Sequence, residues 1–293
     1  MSRDVEPDRE RVDPAPRDQP DLTPRERSAD RRAGPEHLPA DREREVVSLR
    51  GRVFELSEAE RRTLFEVGRF RTVAREDVHT HLYPKQERWL EQDLRSLVAQ
   101  GLIQRRSAWI GKRHGALEVL VLTKTAKELL ERDWEPDAGQ RVYAGFVKPS
   151  EVAHDAAIYR MFQAERRVIE QRGGAVLRVI LDYELKRNIY APLNKLRHLP
   201  AAEFAERQRA VAHENHLTVV QNRIVLPDLR IEYETRDGEL ARVDLELATE
   251  HYHGSHLADK AAAGFRIYVA DGSAGRLTRV LEEREITATI LSL

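Results

Sequence analysis

Alternation is the strongest constraint in this chain, and it runs through Val243-Asp244-Leu245-Glu246-Leu247-Ala248. A period of two is a strand's period, so Val243, Leu245 and Leu247 share one face with Thr249, while Asp244, Glu246, Ala248 and Glu250 share the other. Ahead of it stand Leu226-Pro227-Asp228, another strand-like run and a turn at Asp237-Gly238, which together read as a hairpin. Any fold that accepts this hairpin lays a row of carboxylates on a sheet, and ionised oxygens buried without a cation or donors cost several kcal/mol each. The row needs a metal ion, a basic side chain or solvent. A three-residue loop from Arg236 to Gly238 sets Asp228 across from Glu246, whereas a two-residue loop sets it across from Leu247, on the other face. The sequence permits both.

The 293 residues suffice for about two domains, each with its own core. With 49 Lys and Arg against 50 Asp and Glu, net charge predicts no general nucleic-acid binder, so any basic surface is local. The absence of cysteine excludes disulfides, thiolate zinc sites and a cysteine nucleophile, and fits a reducing cytoplasm. No apolar run approaches the roughly 18 residues of a membrane span, and the N-terminus lacks a secretory apolar core, so a cytoplasmic protein without membrane contact is expected. Neither a Walker loop nor a serine elbow is present, which leaves ATP hydrolysis and acyl transfer unsupported.

Residues 1–45 mix Arg, Asp, Glu and Pro with almost no large apolar side chains and are expected to be a disordered charged tail. Residues 46–135 read as a strand or coil from about Val47, three helices, a hairpin and a closing helix. Ser57 and Glu60 have capping-box spacing before Leu64 and Val67, and a second helix covers about Val73 to Leu82. A third, from about Lys85 to Ala99, carries Leu90, Leu94, Leu97 and Val98 and stops at Gly101. The hairpin turns at Gly111-Lys112-Arg113-His114-Gly115; three short helices plus a hairpin make a winged helix. After a linker, 136–149, residues 150–293 read as a helix from Ser150 to Gln171, a strand from Ala175 to Leu181 and a polar helix from Pro200 to His213. The strands around Asp228 and Glu246 follow, then a helix from Ser255 to Gly264, a strand Phe265 to Val269, a helix near Arg276 to Glu283 and a strand Ile286 to Leu291. This order predicts an α/β (α+β) chain: an N-terminal winged helix, then a mixed sheet flanked by helices.

In the winged helix, Lys85, Gln86, Arg88, Gln92 and Arg95 of the third helix would enter a DNA major groove, and Arg105, Arg106, Lys112, Arg113 and His114 of the wing would meet phosphates. Glu87 and Glu91 oppose this, and leave open a winged helix used for protein contacts or dimerisation. Trp89 and Trp109 suit core packing and base contact equally. In the second half Glu165 lies on the apolar stripe of Ile158, Phe162 and Ile169, with His154 on the same helix; it is either a further metal ligand or the partner of Arg166 or Arg242. His251, His253 and His256 are imidazoles that suit zinc, but their spacing in a strand-to-helix loop favours phosphate or solvent contact.

Pro227-Asp228 followed by Glu246 resembles the PD-(D/E)XK nuclease-like superfamily. The resemblance implies that an Asp and a Glu hold Mg²⁺, whose oxygen chemistry stabilises phosphate charge and activates water, while a lysine two residues on orients the attack. That position is Ala248 here, so either Lys260 substitutes or hydrolysis is lost. Leu94-x-x-Leu97-x-x-x-Gly101-Leu102-Ile103 and Leu122-Thr123-Lys124-x-Ala126-x-x-Leu129-Leu130 resemble winged-helix DNA-binding domains. With His154-Asp155, Leu245 to Thr249, Lys260 and Tyr268 added, the chain resembles the replication-relaxation family of plasmids and other mobile elements. That implies a DNA-binding protein of replication, relaxation or mobilisation, with DNA and proteins of those processes as partners; the rival use of the winged helix adds a homodimer. Asp228, Glu246 and Lys260 would be the catalytic set, with Asp228, Glu246, Asp244 (or Glu250) and Glu165 as metal ligands. The alternatives are an active metal-dependent endonuclease, for nicking or defence, and a winged-helix transcriptional regulator.

Overall fold

Arg50 and Gly51, at φ of 51° and 77°, form a two-residue turn of the type that matches strand twist, and they join β1 (Arg44–Leu49) to β2 (Arg52–Ser57). The computed structural model describes residues 43–109, 115–133, 139–248, 254–269 and 290–292, all within one contact unit. Arg44 and Glu45, assigned from composition to the charged tail, belong to β1, where Arg44 bridges to Glu60 at 3.0 Å. The rest of the tail, 1–42, the hairpin turn expected around 110–114, His251 to His253 and the helix expected near 276–283 lie outside the described residues.

Helix α1 (Glu58–Gly68) begins with the capping box: the Glu60 amide donates to Ser57 Oγ at 3.2 Å, and the Ser57 amide donates to Glu60 Oε2 at 2.8 Å. There follow β3 (Val73–Ala74), α2 (Arg75–Leu82), α3 (Glu87–Ala99), β4 (Ile103–Trp109), β5 (Ala116–Leu122) and α4 (Lys124–Asp133). Gly101, at φ 72°, lets the Leu102 amide reach back to the Leu97 carbonyl at 2.9 Å and closes α3. The three strands form an antiparallel sheet in the order β3-β5-β4.

A strap from Gly139 leads to a short 3₁₀ turn (Pro149–Glu151). Beyond it lie α5 (Val152–Gln171), β6 (Ala175–Leu181), α6 (Asp182–Lys195), α7 (Ala201–Glu214), β7 (Val219–Val220) and β8 (Arg223–Ile224). The chain continues through β9 (Leu229–Glu234), β10 (Leu240–Ala248), α8 (Gly254–Ala262), β11 (Arg266–Val269) and β12 (Ile290–Ser292). The main sheet runs β12-β11-β10-β9-β6. Neighbours among β6, β9 and β10 are antiparallel, and β11 runs parallel to β10 because α8 carries the chain back over the sheet. Helix α6 was not expected from the sequence; it holds Pro192, a residue that ordinarily breaks a helix, yet Ile189 and Leu193 bury it against Val211 and Ala212 of α7.

Leu229, Ile231, Leu245 and Leu247 pack with Ile158 and Phe162 of α5, so α5 covers the apolar face of the hairpin, and the same cluster continues to Leu64, Phe70 and Leu97 of the first half. The protein is thus a mixed α+β fold of helices with small antiparallel and mixed sheets. Among the described residues, no helix is long and apolar enough to cross a membrane.

Candidate functional site

The Thr235 amide donates to the Glu239 carbonyl at 2.8 Å, leaving Arg236, Asp237 and Gly238 as a three-residue loop with Gly238 at φ 83°. The resulting register pairs Leu229 with Leu245 and Arg230 with Asp244, which brings Asp228 level with Glu246. On the other side Leu181 pairs with Leu229, and the Asp182 amide donates to the Asp228 carbonyl at 3.1 Å. Three carboxylates, Asp182, Asp228 and Glu246, therefore stand at one level on three successive chain segments. Asp228 lies where two clefts meet. One, of about 280 Å³, lies against Arg71, His154, Asp155, Tyr183 and Lys186; the other, of about 310 Å³, against Lys186, Tyr190, Arg223, His256 and Lys260.

Each acid of the predicted pair faces a cation from a helix. Lys260 Nζ donates to Glu246 Oε2 at 2.7 Å and to the Leu226 carbonyl at 2.5 Å, so the lysine of α8 reaches back to the acid as one reading of Ala248 required. His154 Nε2 stands 3.6 Å from Asp228 Oδ2, with Nδ1 3.7 Å from Asp155 Oδ1, and the Leu247 amide donates to Asp228 Oδ2 at 3.0 Å. Asp155 and Asp228 raise the His154 pKa to about 10 against the opposing effect of burial, so the ring is an imidazolium at neutral pH. Burial alone would raise Asp228; His154, the Leu247 amide and Lys260 outweigh it and hold the carboxyl below its usual value. Lys186 is pushed down by burial but ends above its usual range because Asp182 and Asp228 attract its charge.

Asp244 and Glu165 are placed elsewhere. Arg230, 3 % exposed, holds Asp244 with both arms, Nε to Oδ1 at 2.6 Å and Nη2 to Oδ2 at 2.8 Å, and also donates to the carbonyls of Asn215 and His216. Glu165 is buried under α5, where Arg266 pairs with it and Tyr268 Oη donates to it at 2.8 Å. Its partner is thus neither Arg166 nor Arg242. Tyr268 is beside Leu247 in the parallel pair and Glu246 is one residue back, so alternation puts Glu165 and Glu246 on opposite faces of the sheet. The four predicted metal ligands do not converge, and among the described residues no group of three or more His, Asp or Glu is arranged to hold a metal ion. Glu250 lies outside the described residues. Arg230 was overlooked, although standing two residues after Asp228 it shares that acid's face by alternation; Asp182, Lys186 and Tyr190 were overlooked with the helix that carries them.

On α3, Leu90, Leu94 and Leu97 are buried and Arg88, Gln92 and Arg95 form the opposite, exposed ridge, with Lys85 exposed just before it. Glu91 accepts from Arg75 Nε at 2.8 Å and Arg105 Nη1 at 2.9 Å, while Glu87 pairs with Arg75 and lies 3.4 Å from His79. Arg105 also donates to Glu118 at 2.5 Å, so its charge is shared between two carboxylates; Arg106 Nη2 donates to Gln104 Oε1 of the same strand at 2.9 Å. Trp89 and Trp109 are both exposed, at 42 % and 65 %, which removes Trp109 from the core. Lys112, Arg113 and His114 lie outside the described residues. Comparison of the chain with family models, curated proteins and solved structures finds no match.

Proposed function

We propose that this chain binds DNA through α3 and the wing between β4 and β5, and that its second half is a PD-(D/E)XK-like sheet used for binding rather than hydrolysis. One observation carries the reading: Arg88, Gln92 and Arg95 form an exposed ridge, while the acids that argued against DNA, Glu87 and Glu91, are paired with Arg75 and Arg105. The order helix, short strand, two helices and hairpin, with the short strand pairing the second hairpin strand, supports a winged helix. Helix, three antiparallel strands, helix and parallel strand, with Asp228 level with Glu246, supports a nuclease-like sheet. Loss of hydrolysis fits the cations already facing both acids and the absence of a lysine at Ala248. A role in plasmid replication, relaxation or mobilisation, beside proteins of those processes, is what the family resemblance adds.

Hydrolysis is the second reading, and Lys260 at 2.7 Å from Glu246 favours it, since a lysine there stands in for the missing one. The test measures duplex binding by anisotropy and nicking of supercoiled DNA with Mg²⁺ or Mn²⁺, for wild type and Asp228→Ala/Glu246→Ala. Binding without nicking, unchanged in the variant, is expected; metal-dependent nicking that the variant abolishes replaces this reading with the second. Failure of the wild type to bind duplex DNA removes both.

A further inference from the structure

Acids and bases nearly cancel over the chain, yet two long runs contain no Asp or Glu. The longest, Leu94 to Leu117, holds the end of α3 and the wing. The next, Leu185 to Ala202, covers most of α6 and the loop that follows, and holds Lys186, Arg187, Lys195 and Arg197, all four exposed. The nearest acids do not cancel it. Glu184 is buried, 1 % exposed, and is held by Arg141 and Arg178, and Asp182 is paired with Lys186. Arg187, Lys195 and Arg197 are exposed, and among the described residues none of them is paired with an acid.

Tyr190 stands in this cationic strip, 47 % exposed, one turn from Lys186. Both side chains line the cleft that reaches Asp228, whose wall also carries Arg223, His256 and Lys260 beside the acids Asp182 and Asp259. Cations without acids attract a phosphate backbone of any sequence, and an exposed aromatic ring beside them stacks an unpaired base, which a duplex does not offer. The cleft beside them, of about 310 Å³, is on the scale of a nucleotide rather than of a base-paired helix.

We infer that α6 is a second nucleic-acid surface, which takes one unpaired DNA strand along Arg187, Tyr190, Lys195 and Arg197 and leads it to the cleft at Asp228. This deepens the DNA-binding reading and rests on it only for the choice of DNA as the nucleic acid. A chain that grips duplex with α3 and a single strand with α6 holds a junction between paired and melted DNA.

The experiment measures binding of the full chain to a fluorescein-labelled oligothymidylate and, separately, to a hairpin duplex. The variants are Arg187→Glu/Lys195→Glu/Arg197→Glu, Tyr190→Ala and Tyr190→Phe; all four side chains are exposed, and Tyr190→Phe keeps the stacking ring. The charge variant is expected to weaken single-strand binding and to flatten its salt dependence by about 0.7 in the log–log slope for each lost contact. Tyr190→Ala is expected to weaken it by about tenfold or more, as loss of one base–aromatic stack does, with Tyr190→Phe close to wild type and duplex affinity unchanged in all three. Single-strand affinity that is unchanged in the charge variant and Tyr190→Ala, or that falls together with duplex affinity, overturns the inference, as does a wild type that binds no single strand. A wild type that binds only single strands, with this dependence on α6, upholds the inference and removes the duplex reading.

Discussion

Lys260 Nζ stands 2.7 Å from Glu246 Oε2 and 2.5 Å from the Leu226 carbonyl, so a single ammonium ties the helix after β10 to the segment just before Asp228. Glu246 is 2 % exposed. Lys260→Met removes the positive member of a buried pair and is expected to destabilise the fold by about 3 kcal/mol or more, read as a lower urea midpoint. Adding Glu246→Gln removes the stranded charge and should recover part of the loss; a double variant no better than the single one would show that Lys260 acts through the Leu226 carbonyl instead.

Arg230 satisfies four acceptors at once, both oxygens of Asp244 and the two carbonyls at the end of α7. A lysine has one ammonium and no fork, so Arg230→Lys should cost most of what Arg230→Ala costs, about 3–5 kcal/mol. Asp244→Asn should also lower the urea midpoint while leaving DNA affinity unchanged. A change in affinity with stability intact would return Asp244 to the functional set.

His154 titrates near 6.5 when unfolded and at about 10 in the fold. A raised pKa contributes stability that is present in full below 6.5 and is lost as pH rises through 10. Wild type should therefore lose stability across that interval relative to His154→Gln, and denaturation midpoints of the two proteins should converge at its alkaline end. The depressed Asp228 acts in the opposite direction: its contribution is present above the unfolded value of 3.8 and disappears as pH falls through the lower folded value. Parallel pH curves for the two proteins would place the imidazolium elsewhere.

Arg88 and Arg95 share the exposed ridge of α3 without belonging to the ion-pair cluster of Arg75, Arg105 and Glu91. Arg88→Ala/Arg95→Ala is expected to weaken duplex binding, and each phosphate contact removed should reduce the slope of log K against log salt by about 0.9. Charge reversal at Lys112 and Arg113 should flatten the same plot. Fits with unchanged slopes would mean that neither surface meets phosphates.

The parts of this structure that were legible in the sequence are those fixed within a few residues. Alternation from Val243 to Ala248, the Ser57 and Glu60 capping box and the stop at Gly101 are local physics, and the structure has them where the residues put them. The hairpin register was legible as two alternatives, separated by one loop residue, and the Thr235 to Glu239 bond selects one. Long-range partners were not legible. Glu165 meets Arg266, about a hundred positions away, and no local pattern distinguishes that guanidinium from Arg166 or Arg242. Helix α6 was not legible, because the packing of Ile189 and Leu193 on α7 that overrides Pro192 is tertiary. The strand at Arg44 was hidden by its neighbours' charge pattern, and its partner strand begins only after the turn at Gly51.

The Gln140 side chain lies along β6: its amide nitrogen donates to the Val179 carbonyl at 3.0 Å, and its oxygen accepts from the Val179 amide at 2.8 Å. One side chain thus mimics a peptide unit of a neighbouring strand, on the outer strand of the five-stranded sheet. An outer strand with open amides is a template on which a foreign strand can grow. With its amide pair at Val179 already taken, β6 offers a broken template, and self-association by sheet extension is obstructed at that margin by a residue that carries no charge and forms no part of the sheet.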